Sequence, residues 1–510
     1  MAERVGHFSD KYPSLINRYE GVKEPEFKGP DGVSKKITEE IVRCLWFGRH
    51  FDTAKLYTED GSRLEVVSPG WWNVEGGPDH LRAEIILEGK GLVKGDVEIH
   101  VLASDWTRHG HDRQEEYKDV CLHVVMWNDT TQGFVKDCTG RLIPQLALAK
   151  YVASPLEELP DVIEAYLAPL EKGRWPLLPG PCQEVLSRRR GAFDRLGHIL
   201  DQAGDHRILA RAGRFQRSLE TKSYEGVLYE ALMEAMGYKN NALQFSRLAS
   251  LVTLEDLRSR VPMDAPFETR ALWIQAVLLG AGGMLSQWQG CDYDEDGREY
   301  VESLRRLRHE TGKRKKLMEA SSWRWSSSRP LNSPPRRIAA LSHLFARFLD
   351  KGFFKELLGA FEEAKDKERA KKAVKRIENY FTQTQDPFWS YHLSPGKRLK
   401  VPTKLIGKER AAAIFINVIL PLLLVYARKE GEAHLEAQLH EAYCGYPRLS
   451  PNSILRFMSQ RVLPKESAPK LVNTARRQQG LHQIFRDFCQ RKDVGCQRCG
   501  LFAAIERQGR

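Results

Sequence analysis

The sequence predicts an α+β domain, one helix with a mixed sheet, followed by a larger, mostly α-helical domain. Three observations predict this. One helix-period segment precedes four short Val-, Ile- and Leu-rich runs bounded by Gly, Asp or Asn. From Ser154 almost to the end, the apolar pattern becomes helical. The chain has 510 residues, 42% hydrophobic and 29% charged. That is a globular composition with room for roughly three ordinary domains, and it excludes disordered, collagen-like and membrane-embedded classes.

The elements follow in order. Residues 1–33 form an irregular leader rich in Pro and Gly, and Ser34 is placed to cap a helix. Ile37, Ile41, Cys44, Leu45 and Trp46 recur at helical spacing, carrying that helix to about Phe51. Arg63–Ser68, Leu81–Leu87, Leu92–Ala103 and Asp119–Trp127 read as strands. Together they bound a domain over residues 34–150. Residues 151–510 form the helical domain, with segments such as Tyr224–Met236 and Leu344–Phe361, and a Ser- and Pro-rich loop at Ser321–Pro335. Its most apolar run, Ala411–Ala427, carries Asn417 and Pro421 at its middle and reads as a core helix, so no membrane partner is expected.

Charge divides the chain in the same way. The first 150 residues hold 20 Lys and Arg against 25 Asp and Glu; the remainder holds 59 against 42, and the whole carries +12. An acidic front favours metal cations and a basic back favours polyanions such as DNA or RNA. Leu304–Lys316 and Lys365–Arg376 concentrate the positive charge; each reads first as a solvated helix face and second as a phosphate-backbone contact. Nine cysteines, an odd number, behind a start without an apolar signal core point to a cytoplasmic protein with free or metal-bound thiols.

The residues able to carry chemistry crowd between Trp72 and Val125. Asp79 ends a Gly-Gly-Pro-Asp turn leading into a strand. Glu98 and His100 lie two apart on the next strand and so share a face. Carboxylates converging from adjacent strands suit Mg²⁺ or Mn²⁺ and leave positions open for a substrate phosphate. Four of the 15 histidines, His100, His109, His111 and His123, fall between positions 100 and 123, with Asn73, Asp105 and Trp106 as supporting residues. Such density suits transition-metal binding or proton transfer, though a turn-capping Asp79 and a core His123 account for part of the pattern equally well. At the C-terminus Cys489, Cys496 and Cys499, with Cys444 or His482 as fourth ligand, suit Zn²⁺ or an iron–sulfur cluster over residues 489–499. No P-loop, dinucleotide fingerprint, nucleophile elbow or HExxH occurs.

Pro78-Asp79 followed by Glu98-Ile99-His100 resembles the PD-(D/E)XK nuclease superfamily, with histidine where that pattern has lysine. The resemblance implies a nuclease-like first domain in which Asp79 and Glu98 hold the metal, with Glu39 of the preceding helix as a third carboxylate. His100 would then orient or deprotonate water, and one of His109, His111 and His123 would protonate the leaving oxygen or complete the site. Over nearly the whole chain, the segments Gly76–Asp79, Val97–His100, Ser104–Trp106, His109–His111, Leu122–Val125, Gly237–Asn241, Arg329–Asn332, Arg336–Ala339 and Cys496–Cys499 resemble a bacterial uncharacterised family, domain of unknown function 2851. That family implies no activity.

The sequence therefore supports a metal-dependent nuclease acting on DNA or RNA. Its rivals are an inactive nucleic-acid-binding scaffold and a metal-dependent hydrolase of a small substrate.

Overall fold

The computed structural model describes residues 8–9, 11–12, 37–48, 51–52, 56–73, 77–152, 180–188, 191–288, 292–310, 317–323, 325, 330–362, 366–466, 468–489 and 499–506. The chain forms two compact units. One contains the sheet and spans Ser14–Leu196, Pro451–Ala468 and Leu481–Arg510; the other is helical and spans Met1–Pro13, Gly197–Ser450 and Pro469–Gly480.

In the first unit, helix α1 (Glu39–Gly48) precedes strands β1 (Leu56–Tyr57), β2 (Arg63–Ser68), β3 (Trp71–Trp72), β4 (His80–Leu87) and β5 (Gly91–Leu102). After a short helix α2 (Asp105–Arg108) come β6 (Val120–Trp127), β7 (Phe134–Lys136) and β8 (Leu142–Ala147). The sheet order is β1-β2-β4-β5-β6-β8-β7, with β3 also on β4. Strands β2, β4 and β5 form an antiparallel meander, whereas β6 runs parallel to both β5 and β8. The sheet is mixed, as expected. All four strands read from the sequence occur at those places.

Burial explains the elements. Ile41, Val42, Cys44, Leu45 and Trp46 of α1 are buried in one core with Ile85, Val97, Ile99, Leu122, Val124 and Leu146. Every residue of β6 except Trp127 is buried, the signature of a central strand covered on both faces. Gly95 is obligatory at the parallel seam: a Cβ there would lie 2.6 Å from the Asp119 carbonyl oxygen and 2.7 Å from Cys121 Cβ.

A parallel neighbour also demands a long crossover. The chain spends residues 103–119 on it, through α2 and two single 3₁₀ turns at His111–Arg113 and Glu115–Tyr117.

The helical unit buries one continuous core. Its helix Phe267–Ala281 and its helix Pro334–Phe348 are largely buried along their lengths. The apolar run lies in a continuous helical stretch, Lys408–Lys429, whose central five residues, Phe415–Ile419, are π-helical. It is long and apolar enough to cross a membrane, but 72% of its most apolar window is buried inside the protein, as a core helix would be. The basic segment at 365–376 lies mostly in helix Lys367–Thr382, where Ala370, Val374 and Ile377 are buried and Arg369, Lys371, Lys372 and Lys375 are exposed.

The compact units divide the chain differently from the domains read from the sequence: the sheet-bearing unit runs on to Leu196, and the tail and leader are placed differently as well. The tail does not stay with the helical unit: Gly180 N–H donates to the Arg461 carbonyl at 2.9 Å and Arg195 Nη2 to that of Ile505 at 2.9 Å, drawing residues 451–468 and 481–510 to the first unit. Within the leader, the aromatics at its described positions, Phe8 and Tyr12, are buried, with Phe8 stacked on Tyr443 at 5.8 Å. The rest of the leader lies outside the described residues.

Candidate metal centre

Strand register builds the site. Glu98 on β5 pairs with His123 on β6, which pairs with Gln145 on β8, so the three side chains form a row across one face of the sheet. His100, two residues beyond Glu98, shares that face. The β5–β6 crossover then brings His109 and His111 over the row.

The hydrogen bonds fix which ring nitrogens carry protons. Gln145 Nε2 donates to the Gln132 carbonyl at 2.9 Å, so its Oε1 faces His123 Nδ1, 2.9 Å away, and accepts from it. His123 Nε2 is then an acceptor and takes the Nδ1–H of His100 at 2.9 Å. His100 Nε2 is left as a lone pair pointing into the site, with His109 Nδ1 at 3.1 Å. His111 Nδ1 bonds Gln114 Oε1 at 3.0 Å, which leaves its Nε2 as a second lone pair.

Both lone pairs face a carboxylate. Glu98 Oε1 lies 3.5 Å from His111 Nε2 and 3.7 Å from His100 Nε2, while Glu98 Oε2 accepts the Asp79 backbone N–H at 2.9 Å. Three electron-rich atoms at such distances are held together by a proton shared between them or by a metal cation among them. Nitrogens of His100, His109 and His111 all lie within 4.8 Å of one another, the one group of three or more metal-capable side chains among the described residues. Imidazoles with a carboxylate suit a divalent transition ion. Burial favours neutral rings: it pushes His123 down to about 4, His100 well below its usual range and His111 down, and the neighbouring imidazoles add to the effect at His100. A neutral ring is the ligating form.

Asp79 sits behind this centre. One oxygen pairs with Arg43 Nε at 3.1 Å and the other accepts the Ile99 backbone N–H at 3.0 Å. Arg43 Nη2 donates to the Asn73 carbonyl, and Asn73 Nδ2 to the Pro78 carbonyl at 2.8 Å, bracing the turn. Glu39 is half-buried on α1. Its charge, with those of Glu98, Asp79 and Glu116, adds to burial in raising the Tyr117 hydroxyl, which places Glu39 in the same electrostatic neighbourhood. Asp105 anchors α2 instead, accepting from the Leu102 N–H and pairing with Arg108 at 2.6 Å. Trp106 is 1% exposed, donates to the Lys136 carbonyl and sets its ring against His111 and His123.

Sequence reasoning missed Arg43, Tyr117, Gln114 and Gln145. Tyr117 stacks on His111 with ring centroids 3.8 Å apart. Its spacing from His111 in an irregular crossover carries no periodic signal. At the C-terminus, Cys489 and Cys499 are half-buried and Cys496 lies outside the described residues. Cys444 belongs to the helical unit beside His440, at 3.5 Å, where burial pushes its thiol up to about 11.

Fold and site together define an α+β mixed-sheet domain with a histidine–carboxylate centre, joined in one chain to a large helical unit. The chain belongs to the family described as "Protein of unknown function (DUF2851)", which matches residues 39–448. No curated protein and no solved structure matches it.

Proposed function

We propose that the sheet-bearing unit binds a divalent transition ion and hydrolyses phosphodiester bonds in DNA or RNA. The observation that carries this reading is the convergence of the His100 and His111 lone pairs on Glu98 Oε1. Imidazole ligands favour Mn²⁺ or Zn²⁺ over Mg²⁺. When bound, such an ion lowers the pKa of a coordinated water and offsets the charge building on a phosphate oxygen.

The chain's own groups divide the remaining work. Glu98 and His111 would ligate together with His100, whose ring the His123–Gln145 chain holds in register. Asp79 and Arg43 would keep Glu98 in place from behind. His109, the exposed member, is the group to pass a proton to the leaving oxygen. Support for a nucleic-acid substrate comes from the PD-(D/E)XK resemblance and from the basic balance of the residues after the sheet.

A second reading, hydrolysis of a small phosphorylated or amide substrate, is favoured by burial: His100 is 1%, Glu98 5% and His111 7% exposed, which limits what can reach the ion.

The test is metal content of the purified protein, then cleavage of labelled single- and double-stranded DNA and RNA with Mn²⁺, Zn²⁺ or Mg²⁺. Cleavage abolished by EDTA and by Glu98→Gln supports the nuclease. Metal bound without cleavage of any nucleic acid moves the assignment to the small-substrate hydrolase. Neither metal nor cleavage refutes both.

A further inference from the structure

We propose that the helical unit carries a phosphate-binding site formed by Arg337 and Arg410 around Tyr238, with the Ser333 hydroxyl as a further donor. The segments Gly237–Asn241 and Arg336–Ala339, which play no part in the metal centre, meet here. Tyr238 opens the helix Tyr238–Leu251 with φ +53, an uncommon conformation for a residue with a side chain. Its ring centroid lies 3.7 Å from the Arg410 guanidinium carbon and 4.9 Å from that of Arg337.

The anomaly is charge without a counter-charge. Arg336 is fully buried and Arg337 is 3% exposed. Among the described residues no carboxylate forms an ion pair with the buried Arg337 or the half-buried Arg410, although a deeply buried arginine is almost always paired; Arg336 has the charge of Asp386 nearby. Arg336 is satisfied by neutral groups, the carbonyls of Trp389 and His392 and the Thr403 hydroxyl. The other two are not. Arg337 donates its Nη groups to the Leu405 carbonyl and Asn332 Oδ1, yet its Nε has no hydrogen-bond partner. Arg410 Nε is buried without a partner as well, and so is Ser333 Oγ at the start of the helix Pro334–Phe348. Burial pushes Arg410 down to about 10 and lowers Arg337 too, the cost of desolvated cations.

An anion relieves all of this together. It would accept from donors on two chain segments, at the positive end of the 15-residue helix Pro334–Phe348. Two guanidinium groups beside one ring, each with an unpartnered Nε, suit a tetrahedral phosphate, for which guanidinium is the usual partner. The phosphate is either that of a small phosphorylated molecule or that of a nucleic-acid backbone.

The experiment uses the full chain in EDTA, so that no metal-held phosphate contributes. Inorganic phosphate is titrated at constant ionic strength against chloride, read by ³¹P line broadening and by thermal unfolding, with a short single-stranded oligonucleotide as competitor. Saturable phosphate binding, weakened about ten- to a hundredfold by Arg410→Met, is expected from losing a charge-assisted donor. Arg410→Lys should fall between, and with Ser333→Ala it carries the test if Arg410→Met fails to fold. Displacement of phosphate by the oligonucleotide assigns the site to a nucleic-acid backbone; saturable phosphate binding without displacement assigns it to a small phosphorylated ligand. Absence of saturable binding of either probe, or unchanged binding in the folded variants, overturns the proposal.

Discussion

Asp79 is where a clamp and a metal ligand make different predictions. Its side chain is 3% exposed and that of Arg43 is 5% exposed, with Arg43 Nε and Asp79 Oδ1 at 3.1 Å. Asp79→Asn keeps the shape. An amide turned to accept from the Ile99 N–H, however, presents its NH₂ to Arg43, setting donor against donor in a buried place. Removing one partner of such a pair costs about 3–5 kcal/mol, because the remaining charge stays desolvated. Arg43→Met strands the carboxylate and should cost a similar amount. In the double variant neither charge remains, so the combined cost should fall short of the sum by about 2 kcal/mol, within the range found for contacting residues. Urea unfolding of the full chain, followed by tryptophan fluorescence for each member of the cycle, measures that coupling. Costs that add to within about 0.5 kcal/mol refute the clamp. So does an Asp79→Asn protein of unchanged stability that no longer takes up metal, which would move Asp79 into the ligand set.

Four further outcomes follow from the same geometry. In EDTA, stability should fall as pH drops: His123 stays neutral in the fold to about 4, whereas an unfolded histidine takes its proton near 6.5. Its contribution is whole above that upper value, and about 2 kcal/mol of it is lost by pH 5; a His123→Gln variant whose pH dependence matches wild type would contradict this. Gln145→Leu removes the acceptor that orients His123, so metal affinity, measured by competition with a chelating dye, should weaken about 10–100-fold. Added Mn²⁺ or Zn²⁺ should raise the unfolding temperature of wild type but not of Glu98→Gln, as required of a ligand that binds the folded state alone; equal shifts in both would place the ion elsewhere. Gly95→Ala should be destabilised by more than about 2 kcal/mol, since its Cβ meets the fixed Asp119 carbonyl and no side-chain rotation relieves the contact.

How much of this was legible in the sequence depends on whether an element is specified locally. The strands Arg63–Ser68 and Val120–Trp127 announce themselves by alternation or by apolarity broken only at His123, because one or both faces are buried. Strand β8 does not. Pro144 interrupts Leu142–Ala147, and a proline argues against an internal strand, yet here it faces only the short partner β7. Without β8, Gln145 has no register, and without that register nothing assigns His123 its proton. The same logic separates Glu98 and His100, paired on one face by strand period alone, from His109 and His111, whose approach depends on a crossover that the parallel β5–β6 pairing forces. Side chains of the centre were thus readable as candidates, while the relation that makes them the proposed cation site, two ring nitrogens held against one carboxylate, exists only after three strands have come into register.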